Sequence, residues 1–181
     1  MKSLLLQPGA VKSATEFTKM RMNTYKRIFG SGPLGVVVTL FLFLAAAMAE
    51  KHLSLPQLGV SLGVRIGVLS VCTILAAALA VWSIRSLPTE ARGRKLCIRG
   101  AFRYLRHPLY AALVSIFNFG VAFFLNHSVF LIAAVILHLI WHRIVSQEEK
   151  MMVKAFGEEY IQYARRTGRF IPRVMAFRKP A

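Results

Sequence analysis

The sequence predicts an all-α, multi-pass integral membrane protein with about four transmembrane helices, and three observations carry that expectation. Of its 181 residues, 56% are apolar and only 17% are charged, against about 25% charged in a typical soluble domain. Mean hydropathy is +0.53, the apolar residues fall in four runs, and no alternating strand–helix pattern appears. The charge is one-sided, with 24 Lys and Arg against seven acids, all of them Glu. A chain without Asp holds no Ser-His-Asp triad, Asp dyad or EF-hand loop. A net charge of +17 would suit nucleic acid on a soluble face. Here the cations lie between long apolar runs, so no nucleic-acid partner is expected.

The elements follow in order. Residues 1–33 form a basic N-terminal segment without the apolar core and small-residue cleavage site of an export signal. Within it, residues 11–29 place basic and apolar residues at roughly helical spacing, which fits an interfacial helix on anionic lipid or a disordered basic tail. Residues 34–84 hold two spans. A span needs about 20 apolar residues, which the run 34–49 reaches if Gly32-Pro33 opens the helix. The run 58–84 reaches it easily, interrupted only by Arg65. Arg65 would cost about 2.5–3.5 kcal/mol at the bilayer centre, but near the end of its run it can snorkel to the interface. Residues 85–181 form the third unit, in which runs 110–125 and 129–141 are separated only by Asn126, His127 and Ser128. They read as a tight helical hairpin.

Topology follows from the cations. Six lie in residues 1–33, seven in 85–106 and nine from Arg143 onward, leaving only Lys51 and Arg65 for the other side. The positive-inside rule then places both termini and the 85–106 loop in the cytoplasm, and the expected location is a prokaryotic inner or cell membrane.

Three motifs carry little. Gly30-Ser-Gly-Pro-Leu-Gly35 matches GxGxxG, but a dinucleotide fingerprint needs a preceding strand, so this is the turn that opens a helix. Cys72 and Cys97 form no CxxC pair or disulfide framework. His138 and His142 share a helix face, but a catalytic zinc needs three protein ligands. No metal is expected, and His142 is read as capping the end of the fourth span.

Two segments flanking the hairpin are informative. In Gly100-Ala-Phe-Arg-Tyr-Leu-Arg-His-Pro-Leu-Tyr110, Pro108 disfavours helix at His107 and suits the first helical turn. Arg106 and His107 therefore precede a helix N-terminus, which favours an anion. In the second segment, Glu148, Glu149, Glu158 and Glu159 fall within 12 residues, and Arg169-Phe-Ile-Pro172 follows. An antiparallel hairpin brings its two inner ends together, so the Arg-His-Pro and Glu-Glu groups should meet.

The G-x-(F/Y)-R-Y-x-R-H-P-x-Y segment, the hairpin, E-E-x-x-(L/M)-x-x-x-F-G-x-x-Y-x-x-Y and R-F-I-P together resemble the isoprenylcysteine carboxyl methyltransferase family. Phospholipid methyltransferases share the Pro-x-Tyr and Glu-Glu core more loosely. The resemblance covers about residues 96–173, with Ala101, Phe102 and Ala112 standing where the family pattern has Pro, Tyr and Gly. It implies an integral-membrane methyltransferase using S-adenosylmethionine, whose lipophilic acceptor arrives laterally from the bilayer among membrane lipids. Arg106, His107 and the helix start at Pro108 and Tyr110 would then meet the cofactor's carboxylate, and Glu148 or Glu149 its ammonium and ribose. Tyr104, Leu105, Phe156 and Tyr160 would line an adenine slot, and Arg169 and Arg143 would orient the acceptor as catalytic groups. An isoprenylcysteine-like carboxylate is the acceptor the resemblance favours. A phospholipid amine, and a scaffold or lipid-binding protein without catalysis, are the alternatives.

Overall fold

The computed structural model describes residues 32–87 and 96–173. The interfacial segment expected at 11–29 lies outside them. Four helices organise the described residues: α1 (Gly32–Leu53), α2 (Leu62–Ser86), α3 (Pro108–Phe124) and α4 (Ser128–Arg166). Among the described residues, strand-like pairing is confined to isolated bridges from Gln57 to His127 and from Leu105 to Gly168.

Length separates the helices. α1, α2 and α4 are long and apolar enough to cross a membrane, whereas α3 is a shorter apolar helix. Its 17 residues extend about 25 Å, short of a hydrocarbon core of about 30 Å. Among the described residues three helices have full spanning length, and α3 is the shorter fourth. Leu40, Phe41 and Leu44 on α1, Ile74 and Leu75 on α2, and Val135 and Leu139 on α4 are each more than half exposed. Apolar faces of this extent suit lipid rather than water.

Small residues set the spacing between helices, as expected where lipid is the solvent. A Cβ on Gly35 of α1 would collide with the Trp141 ring of α4, and one on Gly120 of α3 with Cys72 of α2. Ala46, Ala122, Phe130, Ala133 and Ala134 form one buried cluster. The other joins Leu105, Ala111, Val114, Leu137, Trp141, Val145 and Phe170 beneath the basic end of the bundle.

The opposite end is tied by polar contacts. Asn126 adopts φ 63°, a left-handed conformation that Asn tolerates better than most residues, and so closes the α3–α4 hairpin. Its carbonyl accepts from Leu58 N at 2.8 Å and its Oδ1 from Val60 N at 3.2 Å. Arg65 does more than snorkel. It donates to the Phe124 carbonyl at 2.9 Å and lies over the Phe124 ring, a cation at the C-terminus of α3, where the helix dipole favours it.

Candidate active site

The site begins with a local conformational fact. His107 has φ −129° and ψ 64° with Pro108 at the first position of α3, outside the helical region that a following proline disfavours. Arg106 N donates to Gly168 O at 2.8 Å and His107 N to Arg169 O at 3.2 Å. The Arg-His-Pro strand is thus laid directly on the 167–170 segment. Ala101 N donates to Ser86 Oγ at 3.2 Å, a bond that a proline at this position could not make.

α4 runs past the apolar run and breaks at Gly157, where φ is 56° and ψ −132°. Side chains make that conformation strained, whereas glycine adopts it freely. The break reverses the chain. On a straight helix Glu149 and Ala164 would lie about 22 Å apart. Instead one Arg106 guanidinium reaches both, donating from Nε to Glu149 Oε1 at 2.7 Å and from Nη1 to Ala164 O at 2.6 Å and Thr167 O at 2.8 Å.

Glu149 is the centre of the cluster. Arg169 donates to its Oε2 from Nε at 3.0 Å and also from Nη2, and His107 Nε2 lies 3.5 Å from Oε1. Burial alone would raise the Glu149 carboxyl. The His107 ring, the Arg169 hydrogen bonds and the Arg106 charge outweigh it and hold the carboxyl well below the usual carboxylate range. Glu148 accepts from Tyr110 OH at 3.1 Å and lies 3.8 Å from His107 Nδ1. The His107 and Tyr110 rings stack with their centroids 5.7 Å apart. Burial pushes the Tyr160 and Tyr163 phenols up, so both stay protonated. Tyr163 OH donates to Phe102 O at 2.7 Å.

Beside the cluster lies a cleft of about 730 Å³ between the two arms of α4, within the range of about 300–1,000 Å³ typical of small-molecule sites. Arg106, Glu149 and Tyr160 line it together with Lys150, Met151, Lys154, Ile161, Arg165 and Arg173.

The expected site residues divide accordingly. Arg106, His107, Tyr110, Glu148, Glu149 and Arg169 come together, with Pro108 buried at the start of α3. Tyr160 is buried at the cleft, while half-buried Phe156 sits just before the break. Leu105 packs into the core rather than facing a ligand, and Tyr104 packs against that core beside Trp82. Arg143 is exposed on α4 and does not join the cluster. His142 caps no helix end, because α4 continues to Arg166. Its ring turns instead to His138, with Nε2 atoms 3.3 Å apart, and no group of three potential metal ligands occurs among the described residues. Sequence reasoning passed over Ser115, Lys150, Lys154 and Thr167. Only the glycine of Phe-Gly-Glu-Glu, a helix breaker inside an otherwise helical run, signalled the fold-back that gathers several of them.

Lipid-facing helices ending in a buried, charged cluster beside an open cleft define an integral membrane protein with its polar groups gathered at one end of the bundle. The model of the phospholipid methyltransferase family matches residues 58–159, more than half of the chain. The chain belongs to the phospholipid methyltransferase family, within the same superfamily as the isoprenylcysteine carboxyl methyltransferases. No match is found among curated proteins.

Proposed function

We propose that this protein transfers a methyl group from S-adenosylmethionine to a lipid-borne acceptor at the bilayer surface. The observation that carries the reading is the Arg106–His107–Glu148–Glu149–Arg169 cluster, whose Arg106 and Glu149 line the cleft, in a chain of a methyltransferase family. The donor set fits the cofactor. His107 Nε2 is buried without a hydrogen bond, 3.5 Å from Glu149 Oε1, where the Arg106 and Arg169 guanidiniums, a type suited to a carboxylate, also converge. Glu148 and Glu149 suit an ammonium and ribose hydroxyls, and Tyr160, Ile161 and Met151 offer an apolar wall to a purine.

When bound, S-adenosylmethionine supplies an electrophilic methyl carbon on a sulfonium. The protein's part is positioning, which can be worth about 7–11 kcal/mol. Arg106 ties the strand before α3 to the far arm of α4 and so fixes the cleft width. Tyr110 holds Glu148 toward His107. Arg169, from the C-terminal segment, reaches the side of the cluster nearest the apolar bundle, where an acceptor headgroup would lie. The excess of Lys and Arg at this end orients it toward the cytoplasm.

An isoprenylcysteine-like carboxylate remains one acceptor. The match to the phospholipid methyltransferase family favours the second, a phospholipid amine. Incubating the purified protein with lipid extract and methyl-labelled S-adenosylmethionine tests both. Labelled lipid that releases volatile methanol in alkali marks a carboxyl ester, and alkali-stable label marks an amine. No labelled lipid, together with no binding of S-adenosylhomocysteine, would overturn the reading.

A further inference from the structure

Beneath the charged cluster lies a polar array that the cofactor reading does not use. Arg169 Nη1 lies 3.3 Å from His142 Nδ1, the two Nε2 atoms of His142 and His138 are 3.3 Å apart, and His138 Nδ1 lies 3.2 Å from Ser115 Oγ. The Phe170 ring holds both imidazoles edge-on, at centroid distances of 4.8 and 5.4 Å. Ser115 belongs to a π-helical turn, Ala111–Phe117, a rare feature that recurs at functional sites.

The chemistry of the donors fixes a direction. A guanidinium only donates, so in the Arg169 Nη1 contact, shared with the His142 carbonyl at 3.0 Å, the role left to His142 Nδ1 is that of acceptor. A neutral His142 then holds its proton on Nε2 and gives it to His138 Nε2. That leaves His138 protonated on Nδ1, donating to Ser115 Oγ. The array is polarised from Arg169 to Ser115, with one unprotonated nitrogen, His142 Nδ1, facing the cluster. His142 also follows directly on Trp141, where the apolar run ends, and so lies at headgroup depth.

We propose that His142 accepts the proton lost by the methyl acceptor, with His138 and Ser115 as the relay that carries the charge away. The inference rests on the methyl-transfer reading and implies an acceptor atom that bears a proton, an amine rather than a carboxylate. As Arg169 Nη1 swings off Nδ1, the N–H bond of a headgroup ammonium breaks and its proton moves to His142 Nδ1. The Nε2 proton of His142 passes to His138 Nε2, and the resulting imidazolium donates to Ser115 Oγ. The freed nitrogen lone pair bonds the methyl carbon while the carbon–sulfur electron pair stays on sulfur. Proton return to solvent reverses the relay after product leaves. The charged groups facing the pair are Arg169, Glu149 and Arg106, and Ser115 is its polar neighbour on α3.

The full chain has five histidines, so ¹⁵N-histidine spectra of the protein in nanodiscs resolve their tautomers. The expected result is an Nε2–H tautomer for His142 and the Nδ1–H tautomer for His138; the reverse assignment overturns the relay. In nanodiscs containing phosphatidylethanolamine, with labelled S-adenosylmethionine, the parent rate should rise with pH. His142→Gln and His138→Gln should lower it at least about a hundredfold near neutral pH and move the rise to more alkaline pH, where solvent removes the proton instead, with S-adenosylhomocysteine binding kept within about twofold, which also shows that the variants fold. An unchanged rate and pH profile in both variants overturns the relay alone. A parent protein that neither binds S-adenosylhomocysteine nor methylates any lipid overturns the functional reading, and the catalytic role of His142 with it.

Discussion

Glu149→Gln removes the anion that holds the site together. In the native protein Glu149 faces two guanidiniums, with Arg106 Nε at 2.7 Å and Arg169 Nε at 3.0 Å, and the Glu149 and Arg106 side chains are only 13% and 9% exposed. Removing one partner of a buried ion pair typically costs about 3–5 kcal/mol, because the remaining charges stay desolvated and unpaired. For a domain of 150–250 residues that corresponds to a fall in Tm of roughly 6–20 °C, measurable by intrinsic-fluorescence melting in detergent. The pH dependence has a definite sign. Because the folded-state pKa is depressed, the stabilisation is fully present above the ordinary value of 4.5 and is lost as pH falls from there toward the folded value. The parent Tm should therefore drop below about pH 4.5, and the variant's should drop less over the same range. A variant that melts within about 2 °C of the parent at neutral pH, or whose acid sensitivity equals the parent's, would refute the assignment of Glu149 as the anchor.

Glu148→Gln retains an oxygen to accept from Tyr110 OH, so it should melt close to the parent yet lose about tenfold to a hundredfold in calorimetric S-adenosylhomocysteine affinity; unchanged affinity would remove Glu148 from the site. Gly157→Ala introduces a Cβ that meets no atom but imposes backbone strain of about 1–3 kcal/mol, so it should lower both Tm and ligand-induced stabilisation, while a neutral result would show the fold-back tolerates a side chain. Gly35→Leu should separate α1 from α4, because even a Cβ there collides with Trp141; a normal elution profile and Tm would contradict that packing. A membrane-impermeant thiol reagent should label Cys97 only after cells are permeabilised, and labelling of intact cells would reverse the orientation.

Composition and order were enough for much of this protein. Four apolar runs in a chain with 24 basic residues and seven acids fix a helical membrane protein, because backbone groups in lipid must be satisfied within the helix. The fixed spacings around Arg106-His107-Pro108 and Glu148-Glu149 pointed to the superfamily that phospholipid and isoprenylcysteine carboxyl methyltransferases share, and hairpin geometry alone required those two segments to meet. What the sequence by itself left open is set by packing at a distance. Arg143 and Arg169 are the same residue type on the same basic end, yet one is exposed and the other binds Glu149, because only the 167–170 segment is laid against the strand before α3. Leu105, expected in an adenine slot, is placed by the tertiary fold among Val114, Leu137 and Val145. The chain reversal at Gly157, which brings Ala164 and Thr167 to Arg106 and opens the cleft, depends on one φ/ψ pair that local composition permits but does not require. The His138–His142 array was completed in the same way: a helical spacing of four puts two imidazoles on one face, and only the tertiary fold brings the guanidinium of residue 169 to within 3.3 Å of His142 Nδ1.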